Sequence, residues 1–136
     1  MLYTTYFANI KKLPPNTIPV SICGKAPQGW NGLEYRKLAP KWSFFSVWKE
    51  TKDNDYYIEH FNKEVLEPLN IIRVTTELQV LLPYEVREQM QNAVWNDDKF
   101  HLALVCYEKP DDFCHRHLVA EWLSQHGFPC TEWKPE

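Results

Sequence analysis

The chain has 136 residues, of which 44% are hydrophobic and 24% are charged, and this composition excludes a disordered or fibrous protein. A net charge of −3 and a pI near 6.0 argue against binding of nucleic acid through bulk positive charge. No apolar run approaches the about 20 residues that a membrane helix needs, and Met1 is not followed by a signal-peptide core. We therefore expect a cytoplasmic protein that does not engage a membrane.

The first third of the chain predicts two strands followed by an aromatic segment. Residues 2–10 are rich in Tyr, Thr, Phe and Ile and predict a strand, and residues 17–23 form a shorter β-branched run that ends at Gly24. From residue 25 to residue 52 neither a helical nor a strand period holds, and the apolar residues are mostly aromatic. We expect residues 25–52 to form an elaborated loop, since a structureless stretch of this length is usually functional or hides short elements.

The middle of the chain predicts helices. Residues 53–70 carry the clearest helical stripe, preceded by acidic and amide residues that can cap a helix. Thr76 with Gln79 resembles a capping box before a short helical piece. A further helix is predicted after Pro83. Its apolar side carries Val86, Met90 and Val94.

The last third predicts a strand, a turn and a helix. Residues 100–107 form a nearly unbroken apolar run, which is typical of a central strand buried on both faces. Asp111 or Asp112 then caps a helix over residues 113–125. Strands separated by long crossovers predict a single α/β domain over residues 1–136, with a mostly parallel, Rossmann-like three-layer sheet.

Most of the potentially reactive side chains follow that last strand, at the edge where open α/β sheets bind their ligands. The apolar stripe of the predicted helix places Cys114 and His115 toward the sheet, Arg116 near the boundary and His117 outward. A helix N-terminus favours anions and thiolates. The pattern therefore predicts a catalytic pair, with Cys114 as nucleophile and His115 as acid or base.

Three charged residues complete this predicted site. Arg116 takes an anionic ligand, Lys25 assists from the end of the second strand, and Glu108 orients His115 or Arg116. The structural alternative is that Cys114 is a core residue and Arg116 forms an internal ion pair. A phosphatase of the C-x₅-R type is disfavoured, because Cys114 and Arg116 are too close in sequence.

Four cysteines are present, at positions 23, 106, 114 and 130. In a reducing cytosol we expect no disulfide. A zinc site built from Cys106, Cys114, His115 and Cys130 lacks the paired spacing that structural zinc prefers. We therefore expect neither a metal nor a cofactor.

The positive charge lies early in the chain. Residues 1–50 carry a net charge of +5 and residues 51–136 a net charge of −8, which hints at a surface for anions. Aromatic and basic residues alternate there, as in proteins that stack on bases between phosphate contacts, although packing onto the domain is the favoured explanation of such aromatics. The residues for a protein or nucleic-acid partner are Trp42, Trp48, Lys41 and Lys49.

The chain resembles the family called domain of unknown function 488 (DUF488). The resemblance runs in order over residues 3–8, 21–27, 35–40, 102–109 and 113–123. Its most specific part is Cys106-Tyr107-Glu108-Lys109 followed by Cys114-His115-Arg116.

The resemblance implies a small cytoplasmic α/β domain with a mainly parallel sheet. It implies that Cys106 and Glu108 belong to the family signature together with Cys114, His115 and Arg116, and it assigns no activity. Many members show Asp-Val-Arg at the end of the second strand, where this chain has a different sequence ending in Lys25. An acidic contribution from that strand is therefore not expected here.

Two functions remain open from the sequence. The first is a binder or processing enzyme of an anionic small molecule or nucleotide at the Cys-His-Arg site, with Cys106, Glu108 and Lys25 contributing to the binding. The second is a non-catalytic module that binds a protein or nucleic acid through residues 25–52.

Overall fold

A computed structural model of the protein describes residues 1–89, 100–109 and 111–135. The strands in these ranges are β1 (Leu2–Tyr6), β2 (Thr17–Ser21), β3 (Leu33–Glu34), β4 (His101–Cys106) and β5 (Cys130–Glu132). They form one sheet in the order β3-β2-β4-β1-β5, and every neighbouring pair is parallel. The predicted α/β class with a mostly parallel sheet is confirmed.

Helices fill the connections between the strands. The α-helices are α1 (Trp42–Thr51), α2 (Asn54–Phe61), α3 (Ile71–Leu81), α4 (Tyr84–Gln89) and α5 (His115–Gln125). Helix α2 continues into a π-helical turn over Asn62–Leu66, and 3₁₀ helices cover Phe7–Lys12 and Arg36–Leu38. Within the described residues, each helix is too short or too polar to cross a membrane.

The predicted central strand is confirmed as β4. It pairs with β1 on one side and β2 on the other, and its residues from Leu102 onward are buried. Leu102 and Leu104 face the main core, while Ala103 and Val105 point to the opposite face and are fully buried as well. A strand covered on both faces needs the unbroken apolar run that the sequence shows.

The main core lies between the sheet and the helices. Helix α5 packs on β1, β4 and β5, and α2 packs against α1 and α5. An aromatic group at its centre joins α1 to α2, since the ring of Phe44 stands edge-on to Tyr57 at 5.3 Å and to Phe61 at 6.3 Å. This packing holds α1 beside the sheet.

The helix predicted over residues 53–70 is confirmed as α2 and its π-helical extension. The Asp53 carboxylate caps it by accepting a hydrogen bond of 3.1 Å from the Tyr56 amide. Regular hydrogen bonding ends at Leu66, two residues before Pro68, whose missing N–H cannot continue a helix.

The interpretation of residues 25–52 as an elaborated loop is wrong. This segment contains β3, a short 3₁₀ helix and the ten-residue helix α1. Phe44 is the one fully buried residue of α1, so the helix has no apolar stripe long enough to register as a period in the sequence. Pro40, placed just before the helix, ends the preceding extended segment.

The capping box at Thr76 is also wrong, because Thr76 lies in the middle of α3. The helix begins after Asn70, whose side-chain oxygen accepts a hydrogen bond of 3.0 Å from the Arg73 amide. The helix predicted after Pro83 is present as α4. Of the apolar residues assigned to it, Val86 lies in α4, whereas Met90 and Val94 fall outside the described residues.

The first two strands are shorter than predicted. Strand β1 ends at Tyr6, where the chain turns into a 3₁₀ helix, and β2 ends at Ser21. As a result Phe7 and Cys23 lie just beyond the carboxyl ends of their strands rather than within the sheet.

Candidate functional site

The candidate site lies at the carboxyl edge of the sheet. Tyr6 of β1 pairs with Cys106 of β4, and Ser21 of β2 pairs with Val105, so that three strands end side by side. The chain leaving β1 runs toward β2, whereas the chain leaving β4 runs through α5 to β5 on the other side. Such a reversal opens a crevice at the strand ends, which is where α/β proteins bind ligands.

Helix α5 starts above this edge. It begins at His115, with Cys114 in the extended N-cap position and without a side-chain cap. The predicted caps at Asp111 and Asp112 are therefore wrong. Both aspartates lie exposed in the preceding turn, closed by a hydrogen bond of 3.0 Å from the Asp112 amide to the Lys109 carbonyl.

The structure joins Cys106 and Cys114 in a disulfide, against the expectation of no disulfide. The two cysteines are eight residues apart in sequence and meet because the turn after β4 folds back onto the strand end. Their Cα atoms are 7.6 Å apart. Both residues are buried, and with Cys23 and Phe7 they form a small apolar cluster separate from the main core.

His115 faces the sulfur atoms as a neutral imidazole. Its Nε2 lies 2.8 Å from the Ile22 carbonyl oxygen, which can only accept, so Nε2 carries the proton and Nδ1 has a free lone pair. That Nδ1 lies 3.8 Å from the Cys114 sulfur. Burial, opposed by the hydrogen bond to the Ile22 carbonyl and supported by the nearby charge of Arg116, lowers the pKa of His115 to about 4. The ring is therefore uncharged at neutral pH.

Arg116 is fully buried, not at the boundary as the helical phase predicted. Positions 116, 119 and 123 follow the i, i+3, i+7 line of the buried face, so that Arg116 lies under Val119 and Leu123. Its Nη1 donates to the Cys106 sulfur at 3.2 Å and to the Glu108 carbonyl at 2.7 Å.

The main partner of Arg116 is Glu132 on β5, which the sequence analysis did not single out. The two groups form a bidentate pair, with Nε–Oε1 at 3.1 Å and Nη2–Oε2 at 2.9 Å, and the Thr4 hydroxyl donates to Oε1 at 2.7 Å. This pair can be inferred only once the strand order is known, because Thr4 and Glu132 are register partners in β1 and β5.

Glu108 and Lys25 lie at the open side of this edge. Among the residues that the structure describes, neither the Glu108 carboxylate nor the Lys25 ammonium makes a hydrogen bond or ion pair. The backbone beneath them is fixed, because the Tyr107 hydroxyl donates to the Lys25 carbonyl at 2.6 Å. Both charged groups are thus available to a ligand.

A cavity of about 580 Å³ opens between these residues and α1, and we call it the strand-end cavity. Its polar and sulfur-bearing wall comes from the segment after β2, from the end of β4 and the residues that follow it, and from the start of α5, and its aromatic wall comes from α1. The lining residues are Cys23, Gly24, Lys25, Pro40, Trp42, Phe45, Cys106, Tyr107, Glu108 and His115. Cys106 lines this cavity, whereas the Cys114 side chain lies behind it. A second cavity, of about 380 Å³, lies between the π-helical turn and α5 and contains none of the predicted site residues.

The aromatic residues of α1 divide into two groups. Trp42 is 69% exposed at the mouth of the strand-end cavity, with its ring 6.1 Å from that of Phe45. Trp48 instead packs inward against Tyr57 and Phe113. The predicted basic residues Lys41 and Lys49 are exposed on the same helix.

The other two cysteines are separate thiols. Burial raises the pKa of Cys23 to about 12, so this thiol keeps its proton at neutral pH even though it lines the cavity. Cys130 pairs with Leu2 at the opposite end of β1, about 13 Å along the strand from the edge that carries Cys106. Cys130 therefore lies far from Cys106, Cys114 and His115, the other three residues of the zinc site considered from the sequence.

Comparison with known protein families gives a match over most of the chain. The family model DUF488-N3a, described as the active DUF488-N3 subclade, matches residues 9–127. Searches of curated proteins and of solved structures found no match. The matched range contains the strand-end cavity and its whole Cys-His-Arg segment, and on this match the chain belongs to the DUF488 family.

Proposed function

We propose that the protein binds an anionic small molecule with a flat ring, best a nucleotide, in the strand-end cavity and acts on it there. The observation that carries this proposal is the shared lining of the cavity. One wall holds Trp42 and Phe45, and the opposite wall holds Lys25, Cys106 and His115.

The size and aromatic wall of the cavity support a small ring-bearing ligand. Cavities that hold small molecules measure about 300–1,000 Å³, and this one falls within that range. The exposed Trp42 indole offers a stacking face, and stacking of a base on an aromatic side chain contributes about 1–3 kcal/mol.

The charges around the cavity support an anionic ligand held by Lys25. The sequence assigned this contact to Arg116, but four hydrogen bonds to Glu132, Cys106 and Glu108 engage its guanidinium inside the protein. Lys25 lies on the cavity wall and has no internal ion pair among the described residues. We therefore assign the anion to Lys25 and treat Arg116 as a positioning residue.

The reactive groups at the wall are sulfur and imidazole. Cys106 and His115 line the cavity, and His115 keeps an unprotonated Nδ1 that can accept a proton. Cys114 lies behind them, within 3.8 Å of that nitrogen. We propose that this cluster carries the chemistry, with Glu108 contributing a hydrogen-bond acceptor to the ligand.

Ligand titration tests the proposal. Binding of the four common nucleoside monophosphates, the matching nucleosides and ribose 5-phosphate is measured by calorimetry on the reduced protein. We expect nucleotides to bind more tightly than either part alone. Trp42→Ala should raise the nucleotide Kd by about 5- to 100-fold, and Lys25→Ala should raise the Kd of nucleotides but not that of nucleosides.

The matched controls lie on the surface away from the cavity. Tyr84→Ala removes an exposed aromatic ring from α4, and Lys63→Ala removes an exposed ammonium group from the π-helical turn. Both should leave every Kd unchanged. Equal nucleotide binding by wild type, Trp42→Ala and Lys25→Ala would show that the strand-end cavity is not the site.

A non-catalytic module that binds a protein or nucleic acid is the second candidate function. It is favoured by the 69% exposure of Trp42 and by the Lys49 ammonium 5.9 Å from the centre of its ring. Trp48 contributes little to such a surface because it packs inward. Binding of a single-stranded oligonucleotide with a steep salt dependence, without binding of mononucleotides, would favour this second function.

A further inference from the structure

We infer that, once Cys106 and Cys114 are reduced, their sulfur atoms and His115 Nδ1 bind one zinc ion at the wall of the strand-end cavity. These three ligand atoms lie within 4.8 Å of one another, and all three residues are buried. Zinc binding can be measured without any ligand in the cavity, so this site is tested separately from the proposed function.

The distance between the Cys114 sulfur and His115 Nδ1 suits tetrahedral zinc, and the distance between the two sulfurs suits it only after reduction. With Zn–S near 2.3 Å and Zn–N near 2.0–2.1 Å, a sulfur and a nitrogen on the same ion are about 3.6 Å apart, and two sulfurs are about 3.8 Å apart. The Cys114 sulfur and His115 Nδ1 lie 3.8 Å apart. The two sulfurs have to separate, and the 7.6 Å between the Cα atoms of Cys106 and Cys114 leaves room for that by side-chain rotation.

The surroundings hold each ligand in the form that zinc requires. Zinc-bound histidines usually donate their other ring N–H to a carbonyl or carboxylate, and His115 Nε2 already donates to the Ile22 carbonyl. Arg116 Nη1 donates to the Cys106 sulfur at 3.2 Å, which favours the thiolate form. The positive charge of Arg116 is balanced by Glu132. The two positive charges of zinc are balanced by the two thiolates, and His115 is neutral, so the bound metal adds no net charge to the site.

Oxidation and metal binding exclude each other at this pair. In the disulfide the two sulfurs are bonded to each other, and a phosphine or dithiol reductant supplies the two electrons, with two protons, that convert them to two thiols. Zinc then displaces the two thiol protons and forms two Zn–S bonds. Oxidised protein should therefore bind no zinc at this position.

Three protein ligands leave the fourth position open, as in catalytic zinc sites. Cys106 and His115 both line the strand-end cavity, so the open position faces the space assigned to the ligand. Cys23 lines the same cavity but lies outside the group of three. With zinc bound, Cys114 is a metal ligand rather than the nucleophile predicted from the sequence.

The test uses Zn²⁺ and Co²⁺ alone. Protein reduced with a phosphine and freed of metal by a chelator is titrated with Zn²⁺ in competition with a chromophoric chelator, and with Co²⁺ followed by thiolate-to-cobalt absorption. We expect one ion per chain. Cys106→Ser and Cys114→Ser should weaken zinc binding by more than about a hundredfold, while Cys130→Ser and Cys23→Ser should bind like wild type.

A comparison within the wild-type chain covers the case in which a variant does not fold. The same protein with the Cys106–Cys114 pair oxidised should give no thiolate-to-cobalt absorption, and reduction should restore it. Absence of zinc binding by the reduced wild type would overturn the inference. It would also be overturned by zinc binding that survives both Cys106→Ser and Cys114→Ser, or that persists in the oxidised chain. An equal loss of zinc binding in Cys23→Ser would overturn the inferred three-ligand site, because Cys23 would then be a fourth protein ligand.

Discussion

The Arg116 guanidinium and the Glu132 carboxylate form a bidentate ion pair, in which the arginine is fully buried and the glutamate side chain is 16% exposed. The pair ties the start of α5 to β5 across the end of β1. Because Arg116 also donates to the Cys106 sulfur and the Glu108 carbonyl, the same guanidinium fixes the turn that carries the candidate site.

We expect Glu132→Gln to lower the free energy of unfolding by about 3–5 kcal/mol, because it leaves a buried guanidinium without its counter-charge. Urea unfolding followed by circular dichroism measures this loss. The double variant Arg116→Met/Glu132→Gln should lose less than the sum of the two single changes, since it removes both charges. Lys37→Ala is the control, because it breaks the exposed Lys37–Glu77 pair, a change worth about 0.2–1 kcal/mol. Losses of similar size for Lys37→Ala and Glu132→Gln would contradict a special role for the buried pair.

Leu104→Ala should destabilise the protein by about 2–5 kcal/mol, because Leu104 is fully buried at the centre of the sheet and its truncation leaves a cavity. Thermal and urea unfolding provide the measurement. Val80→Ala is the matched surface change on α3, where the side chain is 61% exposed, and it should stay within about 0.5 kcal/mol of wild type. A loss below 1 kcal/mol for Leu104→Ala would speak against a tightly packed β4.

Substitutions at the N-cap and in the middle of α3 should differ in their effect on the free energy of unfolding. Asn70→Ala removes the N-cap hydrogen bond to Arg73 and should cost about 0.5–2 kcal/mol. Thr76→Ala replaces an exposed residue inside the helix by a better helix former and should be neutral or slightly stabilising. Both are measured by urea unfolding. The reverse order of the two effects would place the start of the helix at Thr76 instead.

Cys130 should resist alkylation in the folded protein. Burial and, to a smaller extent, the charge of Glu132 raise its pKa from the usual 9.0 to about 12. At pH 9 we expect iodoacetamide to label Cys130 more than about a hundredfold more slowly in the native protein than in urea, as resolved by peptide mass spectrometry. Because the folded pKa is the higher one, the stability contributed by this thiol is present below pH 9 and is lost as the pH rises toward 12. Rates within tenfold of each other would contradict the burial of this thiol.

The parts of the fold that could be predicted from the sequence are those with a long apolar pattern. Strand β4 and the helix after Asp53 carry such patterns, and both are confirmed. Helix α1 is harder to predict, because it is short, follows a segment broken by Pro and Gly residues, and has Phe44 as its one fully buried residue. The start of α3 was misplaced because a capping motif was assigned at Thr76, although Asn70 offers the cap.

The position of the candidate site in the fold could be predicted from the sequence, but the contacts between its residues could not. The strand–turn–helix pattern correctly places Cys114 and His115 over the end of β4. It could not show that Arg116 is paired with Glu132, because that contact depends on β5 lying beside β1. It also could not show that Trp42 lines the same cavity as Lys25, because that depends on how α1 packs on α2.

The position of β1 in the sheet has a consequence for the order of folding. Leu2 pairs with both Leu102 and Cys130, so each neighbour of β1 comes from a part of the chain about one hundred residues away or more. Contacts between such distant segments form slowly, because a long loop has to close before they gain any stability. During synthesis, β1 emerges with two unpaired edges and stays so until β4 is made. That interval is when the nascent protein most needs protection from pairing with other chains.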